Sequence, residues 1–167
     1  MRNKGKPIFI LLADDDEEDC MLACDALAEI RLSNDITCVT DGEELMDYLY
    51  RRGKYGPPAV ASRPDLILLD LNMPKKDGRE ALREIKSDPD LRQIPVVVMT
   101  TSKAEEDIFH SYDSGASSFI SKPVTFEGLV DVMKGLGQYW FQIVDLPRQE
   151  TKGNEQRNDQ STPHRRR

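Results

Sequence analysis

The stretch Leu66-Ile67-Leu68-Leu69-Asp70 is a short apolar run that ends in a carboxylate, and it decides the fold class. Four apolar residues in succession, without polar alternation, are typical of a strand that is covered on both faces of a parallel sheet. Comparable runs occupy residues 8–13, 36–39, 96–99 and 118–120. Each of these runs has the length of one strand, so we predict a five-stranded sheet.

Helical periodicity separates these runs. Apolar side chains recur at intervals of three and four in three segments, Cys20-Cys24-Leu27-Ile30, Leu45-Met46-Leu49 and Ala81-Leu82-Ile85. Residues 105–114 and 126–141 supply two further helical stretches. This spacing places one helix after each strand. Five βα units in succession predict an α/β protein with a doubly wound parallel sheet, which carries helices on both faces.

The chain of 167 residues is long enough for one domain and short for two. We expect an N-terminal extension at 1–7, one domain at 8–145 and a disordered polar tail at 146–167. The tail is almost free of apolar residues and ends in His164-Arg165-Arg166-Arg167. Glycine and proline mark residues 53–63 as a surface loop ahead of the third strand.

Charge and hydropathy limit the partners. A net charge of −7 argues against binding to a phosphate backbone, which needs a basic stripe. The apolar runs are far too short to span a bilayer. The basic start at 1–7 is followed by too few apolar residues for a secretory signal. We therefore expect a cytoplasmic protein that binds neither nucleic acid nor membrane.

Polar residues follow four of the predicted strands directly. They are Asp14-Asp15-Asp16 after the first strand, Asp70 after the third, Thr100-Thr101-Ser102 at the fourth and Ser121-Lys122-Pro123 at the fifth. The carboxyl ends of parallel strands form one edge of the sheet, where ligands bind. Carboxylates gathered there repel one another unless a cation neutralises them. Mg²⁺ prefers oxygen ligands and keeps positions open for phosphate oxygens, so we predict a magnesium site that can receive a phosphate.

This constellation resembles the receiver domain of bacterial two-component response regulators over about residues 8–141. An acidic pair follows the first strand, and the third strand ends in Leu69-Asp70-Leu71-Asn72-Met73-Pro74-x-x-Asp77-Gly78. A hydroxyl follows the fourth strand and Lys122-Pro123 follows the fifth. The resemblance implies a flavodoxin-like (βα)5 fold with strand order 2-1-3-4-5.

The resemblance also implies a role for each site residue. Asp70 takes a phosphoryl group from a phosphohistidine of a sensor histidine kinase and forms an acyl phosphate. Asp15, Asp70 and the backbone carbonyl of Asn72 ligate Mg²⁺, while Asp14 holds the waters of the ion. Lys122 balances the charge of the phosphoryl oxygens. Such a protein is a signalling switch that assists its own phosphorylation and dephosphorylation, rather than an enzyme.

Further residues carry the response to phosphorylation. Thr100 is the switch hydroxyl that donates to the phosphoryl oxygen, and Phe119 rotates into the space that Thr100 vacates. The output surface is the fourth helix, the fifth strand and the fifth helix. Asn72 and Ser102 tune the rate at which water removes the phosphoryl group. The family also implies a cis peptide bond between Lys122 and Pro123.

The acidic run after the first strand has a second interpretation, because aspartates also cap helices. We accept that interpretation for residues 16–19, where negative charge at a first helical turn is favourable. Asp14 and Asp15 precede the turn and lie at the strand end, so we assign them to the metal site. Ser102 remains open between a tuning role and a helix cap.

The aromatic segment at 138–147 leaves two readings open: Trp140 anchors the last helix, or an exposed patch binds a partner. This ending, with Thr100-Thr101-Ser102 and the loop before the third strand, is similar to the small response regulators of bacterial phytochrome histidine kinases. That subgroup tends to dimerise, so we expect a homodimer and a phytochrome-type kinase as partner.

Three rival functions share parts of this pattern. A haloacid dehalogenase-type phosphatase needs a carboxylate two residues after its nucleophile, where this chain has Asn72. A transcription factor needs a DNA-binding domain, for which the residues after Leu146 are unsuited. The remaining alternative is a degenerate receiver that acts as an interaction module without phosphorylation.

Overall fold

The computed structural model describes residues 8–29, 35–101 and 104–139. Strands and helices alternate along these ranges. The elements are β1 Phe9–Ala13, α1 Glu17–Glu29, β2 Asp35–Val39, α2 Gly42–Tyr50, β3 Leu66–Leu69, α3 Gly78–Ser87, β4 Val96–Thr100, α4 Glu105–Asp113, β5 Ser118–Ser121 and α5 Phe126–Gly137. A short 3-10 helix, Gly53–Tyr55, lies in the loop between α2 and β3. The predicted order of five βα units is confirmed.

The strands form one parallel sheet in the order β2-β1-β3-β4-β5. This order confirms the flavodoxin-like doubly wound class. Every residue of β3 is buried, as its unbroken apolar run predicts. Strand order reverses between β1 and β3, and that reversal opens a crevice at their carboxyl ends. Leu12 pairs with Leu68 and Ala13 with Leu69, so the residues that follow both strands leave the sheet side by side.

Two apolar cores lie on opposite faces of the sheet. Leu11 and Ile67 belong to the core that α2 and α3 cover, whereas Leu12 and Leu68 belong to the core that α1 and α5 cover. The alternation arises because successive side chains of a strand point to opposite faces. A fully buried side chain of this kind contributes about 1.5–3 kcal/mol of transfer free energy, so the sheet is a rigid support for the loops at its edge.

Side-chain caps fix where several helices begin. Asp41 Oδ1 accepts the Glu44 N–H at 2.7 Å and starts α2, and Asp77 Oδ1 accepts the Arg79 N–H at 2.8 Å and starts α3. The Thr125 hydroxyl caps α5 by accepting the Gly128 N–H. Each cap satisfies a backbone donor that the first helical turn leaves unpaired. The caps therefore fix the first residues of α2, α3 and α5.

Some expectations fall outside the described residues: the extension at 1–7, Ser102, Trp140 with the remainder of the aromatic segment up to 147, and the tail at 146–167. Tyr139 of the aromatic segment is described and is 52% exposed. The predicted last helix is confirmed as α5 up to Gly137. No helix in the described part of the chain is both long and apolar enough to cross a membrane.

Candidate functional site

Three carboxylates meet where β1 and β3 end. The carboxylate oxygens of Asp14, Asp15 and Asp70 lie within 4.8 Å of one another. Asp14 and Asp70 are buried, whereas Asp15 is exposed. Backbone hydrogen bonds fix this arrangement, because the Asp14 N–H donates to the Val39 carbonyl and the Asp70 N–H donates to the Ala13 carbonyl. The sheet ladder thus continues one residue beyond each strand and places the side chains together.

Lys122 brings positive charge into the same site. Its Nζ lies 2.5 Å from Asp14 Oδ2, 2.7 Å from Asp19 Oδ2 and 3.4 Å from Asp70 Oδ2. The Lys122 side chain is only 8% exposed. Its backbone N–H donates to the Thr100 carbonyl at 2.8 Å, which extends the pairing of β4 with β5 and aims the side chain at the carboxylates.

The expected cis bond before Pro123 is wrong. Within the described ranges the cis peptide bond joins Pro57 and Pro58, and the Lys122–Pro123 bond is trans. Lys122 reaches the carboxylates through its backbone hydrogen bond to β4, so the trans bond suffices to direct it.

The electrostatics of the pocket favour a cation. Burial raises the pKa of Asp14, and the nearby charge of Asp70 adds to that effect against the opposing hydrogen bond from Lys122. Burial by itself lowers the pKa of Lys122, but its hydrogen bonds to Asp14 and Asp19 outweigh burial and raise it. Three clustered carboxylates against one ammonium leave two negative charges in the cluster. A divalent cation neutralises that excess.

A hydroxyl and an amide approach Asp70 from the other side. The Thr100 hydroxyl donates to Asp70 Oδ1 at 3.0 Å, and Thr100 is fully buried. The backbone N–H of Asn72 donates to the same oxygen at 3.0 Å. The Asn72 side-chain amide donates to Thr100 Oγ1 at 3.4 Å. Asp70 Oδ1 is therefore held by two donors, while Oδ2 faces Lys122.

The predicted site residues divide into two groups. Asp14, Asp15, Asp70, Asn72, Thr100 and Lys122 are brought together at the carboxyl edge of the sheet. Phe119 lies apart from them, in the middle of β5, where it is partly buried against the core and its N–H donates to the Tyr112 hydroxyl.

Asp19 also contacts the site, although its place in the sequence predicted only favourable charge on the first turn of α1. Asp16 does act as a cap, because its Oδ1 accepts the N–H groups of Glu18 and Asp19. The Asp19 side chain, however, binds Lys122. Asp19 lies on the first turn of α1, directly after the loop that carries Asp14 and Asp15. This position in the sequence could have indicated the contact with Lys122.

The residues fit a divalent cation that prefers oxygen. The donor set consists of three carboxylates, two of them buried, at the point where the sheet opens. Such a hard oxygen set suits Mg²⁺ or Mn²⁺ rather than a thiolate- or imidazole-binding metal.

A doubly wound sheet that carries this set of acids, hydroxyl and lysine at its switch point defines a phosphoryl-accepting signalling switch. Phosphoryl transfer to a carboxylate needs positioning and positive charge around the phosphoryl oxygens, and this edge of the sheet offers both.

Comparison with known proteins agrees with this class. Residues 10–134 match the response regulator receiver domain, and the chain belongs to that family. The response regulator Rcp1 of Synechocystis sp. is 40% identical over 141 residues, which span 84% of this chain and 94% of Rcp1.

Two solved structures resemble the whole domain. The phosphorylated cyanobacterial phytochrome response regulator RcpA is 48% identical, with a TM-score of 0.81 over 86% of this chain and 100% of RcpA. The Mn²⁺-bound form of Rcp1 is 39% identical, with a TM-score of 0.79 over 85% of this chain and 100% of Rcp1. The chain is thus a receiver that works by phosphorylation in two-component signalling. Its three clustered carboxylates could hold a divalent cation. The comparisons give no support to a degenerate receiver.

Proposed function

We propose that this receiver accepts a phosphoryl group on Asp70 in a Mg²⁺-dependent reaction and then switches the surface formed by α4, β5 and α5. The observation that carries the proposal is the setting of Asp70: a buried carboxylate with two fixed donors on Oδ1 and an ammonium 3.4 Å from Oδ2. The receiver domain spans residues 8–145 in this proposal, which the family match at 10–134 supports.

In the reaction, an oxygen of Asp70 attacks the phosphorus of a phosphohistidine. The P–O bond forms while the P–N bond breaks, and the electron pair of the broken bond returns to the imidazole nitrogen. Thr100 and Asn72 hold the carboxylate in one orientation, so little entropy is lost when the donor arrives. Lys122 stabilises negative charge on the phosphoryl oxygens. A bound Mg²⁺ supplies further positive charge there, with Asp14, Asp15, Asp70 and the Asn72 carbonyl as its ligands or water partners.

After transfer, the phosphoryl group adds about 1.5 to 2 negative charges and three strong acceptors. We propose that the Thr100 hydroxyl then donates its hydrogen bond to a phosphoryl oxygen instead of to Asp70 Oδ1, and that Phe119 moves with β5. Asn72 and Ser102 set how fast water removes the group, so the protein assists both its own phosphorylation and its own dephosphorylation.

The proposed kinase is a phytochrome-type sensor histidine kinase. The likeness to RcpA, a cyanobacterial phytochrome response regulator, supports this pairing. We further propose a homodimer that acts in the cytoplasm and binds neither nucleic acid nor membrane. Exposed aromatic side chains support the dimer, since Phe109 and Tyr112 of α4 and Phe126 of α5 are 66%, 50% and 46% exposed. Light scattering at micromolar concentration tests it, and a monomer would contradict it.

Acetyl phosphate tests the reaction without the kinase. The wild-type chain, Asp70→Asn and Asp35→Asn are incubated with acetyl phosphate, with and without Mg²⁺, and their intact masses are measured. Asp35 is an exposed aspartate at the opposite edge of the sheet, so Asp35→Asn is the matched control. We expect one phosphoryl adduct on the wild type and on Asp35→Asn, and only in the incubations that contain Mg²⁺. An adduct on folded Asp70→Asn of equal yield would overturn the proposal.

A further inference from the structure

The Lys122 ammonium is shared unevenly among three carboxylates. Its distances to Asp14 and Asp19 are 2.5 and 2.7 Å, whereas its distance to Asp70 is 3.4 Å. Asp14 and Asp70 belong to the metal cluster, and Asp19 does not. Asp19 is therefore the partner of Lys122 that does not also face the cation.

An ammonium group has three N–H donors. Lys122 directs them at three carboxylates, and its side chain is too deeply buried to satisfy them with bulk water. If Asp19 loses its charge, the ammonium keeps only Asp14 and Asp70 among these partners. The ammonium then binds only the Asp14 and Asp70 carboxylates, which the divalent cation also needs as ligands. Lys122 and the cation therefore compete for these two carboxylates.

The position of Asp19 is fixed by the fold. Asp16 caps α1 by accepting the N–H of Glu18 at 2.9 Å and that of Asp19 at 3.3 Å. Asp19 consequently lies on the first turn of α1, directly after the loop that carries Asp14 and Asp15. Its side chain is 31% exposed, which places it at the rim of the pocket.

We propose that Asp19 is a positioning residue: it binds the Lys122 ammonium from the rim of the pocket and so weakens the hold of that ammonium on Asp14 and Asp70, the two buried carboxylates that face the divalent cation. This inference rests on the proposed function of the pocket and adds a role for an acid outside the metal cluster. It predicts that Asp19 acts on the cation only through Lys122.

Magnesium titration by calorimetry on the full chain tests this role without any phosphorylation. Asp19→Asn removes the carboxylate that holds Lys122, and Glu18→Gln removes the same charge from the neighbouring exposed residue of the same turn. We expect Asp19→Asn to weaken Mg²⁺ binding roughly two- to fivefold more than Glu18→Gln, the size of one partly exposed ion pair. Asp19→Glu keeps the carboxylate and restores binding.

The same pair of substitutions in a Lys122→Ala background separates positioning from simple charge. There Asp19→Asn and Glu18→Gln weaken Mg²⁺ binding equally if the inference is correct. Equal effects in the presence of Lys122, or an excess effect that persists in Lys122→Ala, would overturn it. Failure of the wild type to bind Mg²⁺ would instead contradict the proposed function, so the two failures are distinguishable.

Discussion

The hydroxyl of Thr100 donates a hydrogen bond to Oδ1 of Asp70 at 3.0 Å, and both side chains are buried. This bond joins the ends of β3 and β4, and the chain continues from β4 towards α4. A phosphoryl group on Asp70, as proposed, would therefore change the partner of a side chain that precedes α4. The contact would then give a physical route from the proposed phosphoacceptor to the surface of the domain.

Replacing Thr100 by valine removes this donor and keeps the shape of the side chain. Because a hydrogen bond to a charged group contributes about 1.5–3 kcal/mol, we expect Thr100→Val to lower the free energy of unfolding by about that amount. Thr100→Ser keeps the hydroxyl and should retain most of the hydrogen-bond energy. Urea denaturation measures both variants, and a serine variant that loses as much as the valine variant would show that the hydroxyl is not responsible.

Gly78 begins α3 directly against Asp70, the residue that follows β3. A Cβ at Gly78 would lie 2.3 Å from the backbone oxygen of Asp70 and 2.7 Å from Leu71 Cα. Because backbone must move to admit it, we expect Gly78→Ala to cost about 1–3 kcal/mol or more of unfolding free energy. Gly135→Ala in α5 is the control, since no described atom beyond its chain neighbours and the backbone of its own helix lies within 4 Å of the added Cβ. That variant should gain about 0.5–1 kcal/mol. Thermal unfolding measures both, and a Gly78→Ala variant as stable as wild type would refute the close approach.

Glu44 should make stability depend on pH. Burial alone raises the pKa of Glu44, but hydrogen bonds from Tyr55, Thr40 and Lys54 outweigh it and lower the pKa below 4.5. A lowered folded-state pKa gives stability that is present above the ordinary pKa and is lost as the pH falls through the folded value. We expect Glu44→Gln to cost about 1 kcal/mol at pH 7 and much less at acid pH.

The control for this pH dependence is Glu43→Gln, because Glu43 is an exposed acid of the same helical turn. Its difference from wild type should stay small across the range. Denaturant unfolding from neutral to acid pH supplies the measurement. A Glu44→Gln deficit that stays constant as the pH falls would contradict the assignment.

Arg79 and Asp107 tie α4 to the start of α3. Arg79 Nε and Nη2 each donate to an Asp107 oxygen at 2.7 Å, which is a bidentate pair. Among the described side chains of α4, only Ser111 is buried, so polar contacts rather than apolar packing hold this helix. We expect Asp107→Asn to speed amide hydrogen exchange in α4 roughly two- to fivefold. Asp113→Asn, at an exposed acid of the same helix, should leave exchange unchanged, and equal exchange in both variants would contradict the role of the pair.

The apolar runs were sufficient to predict the central strands, because β1, β3 and β4 are buried and nearly continuous in apolar residues. The edge strands β2 and β5 are only partly buried and carry shorter apolar runs. The strand order came from resemblance, since periodicity does not specify which strands are neighbours. The site residues followed from their positions after strands, where parallel topology brings them together. Asp19 was missed because the favourable charge at a first helical turn already accounts for an acid there, and the sequence does not mark which of these acids contacts Lys122. The cis bond was implied by the resemblance alone, and the Lys122–Pro123 bond is trans.

Locating the phosphoryl group tests the central claim most directly. The chain is phosphorylated with acetyl phosphate in Mg²⁺, reduced with borohydride, which converts an aspartyl phosphate to homoserine, and sequenced by tandem mass spectrometry. The account predicts homoserine at position 70, in yields that depend on Mg²⁺. Homoserine at another aspartate, with position 70 unchanged, would contradict it.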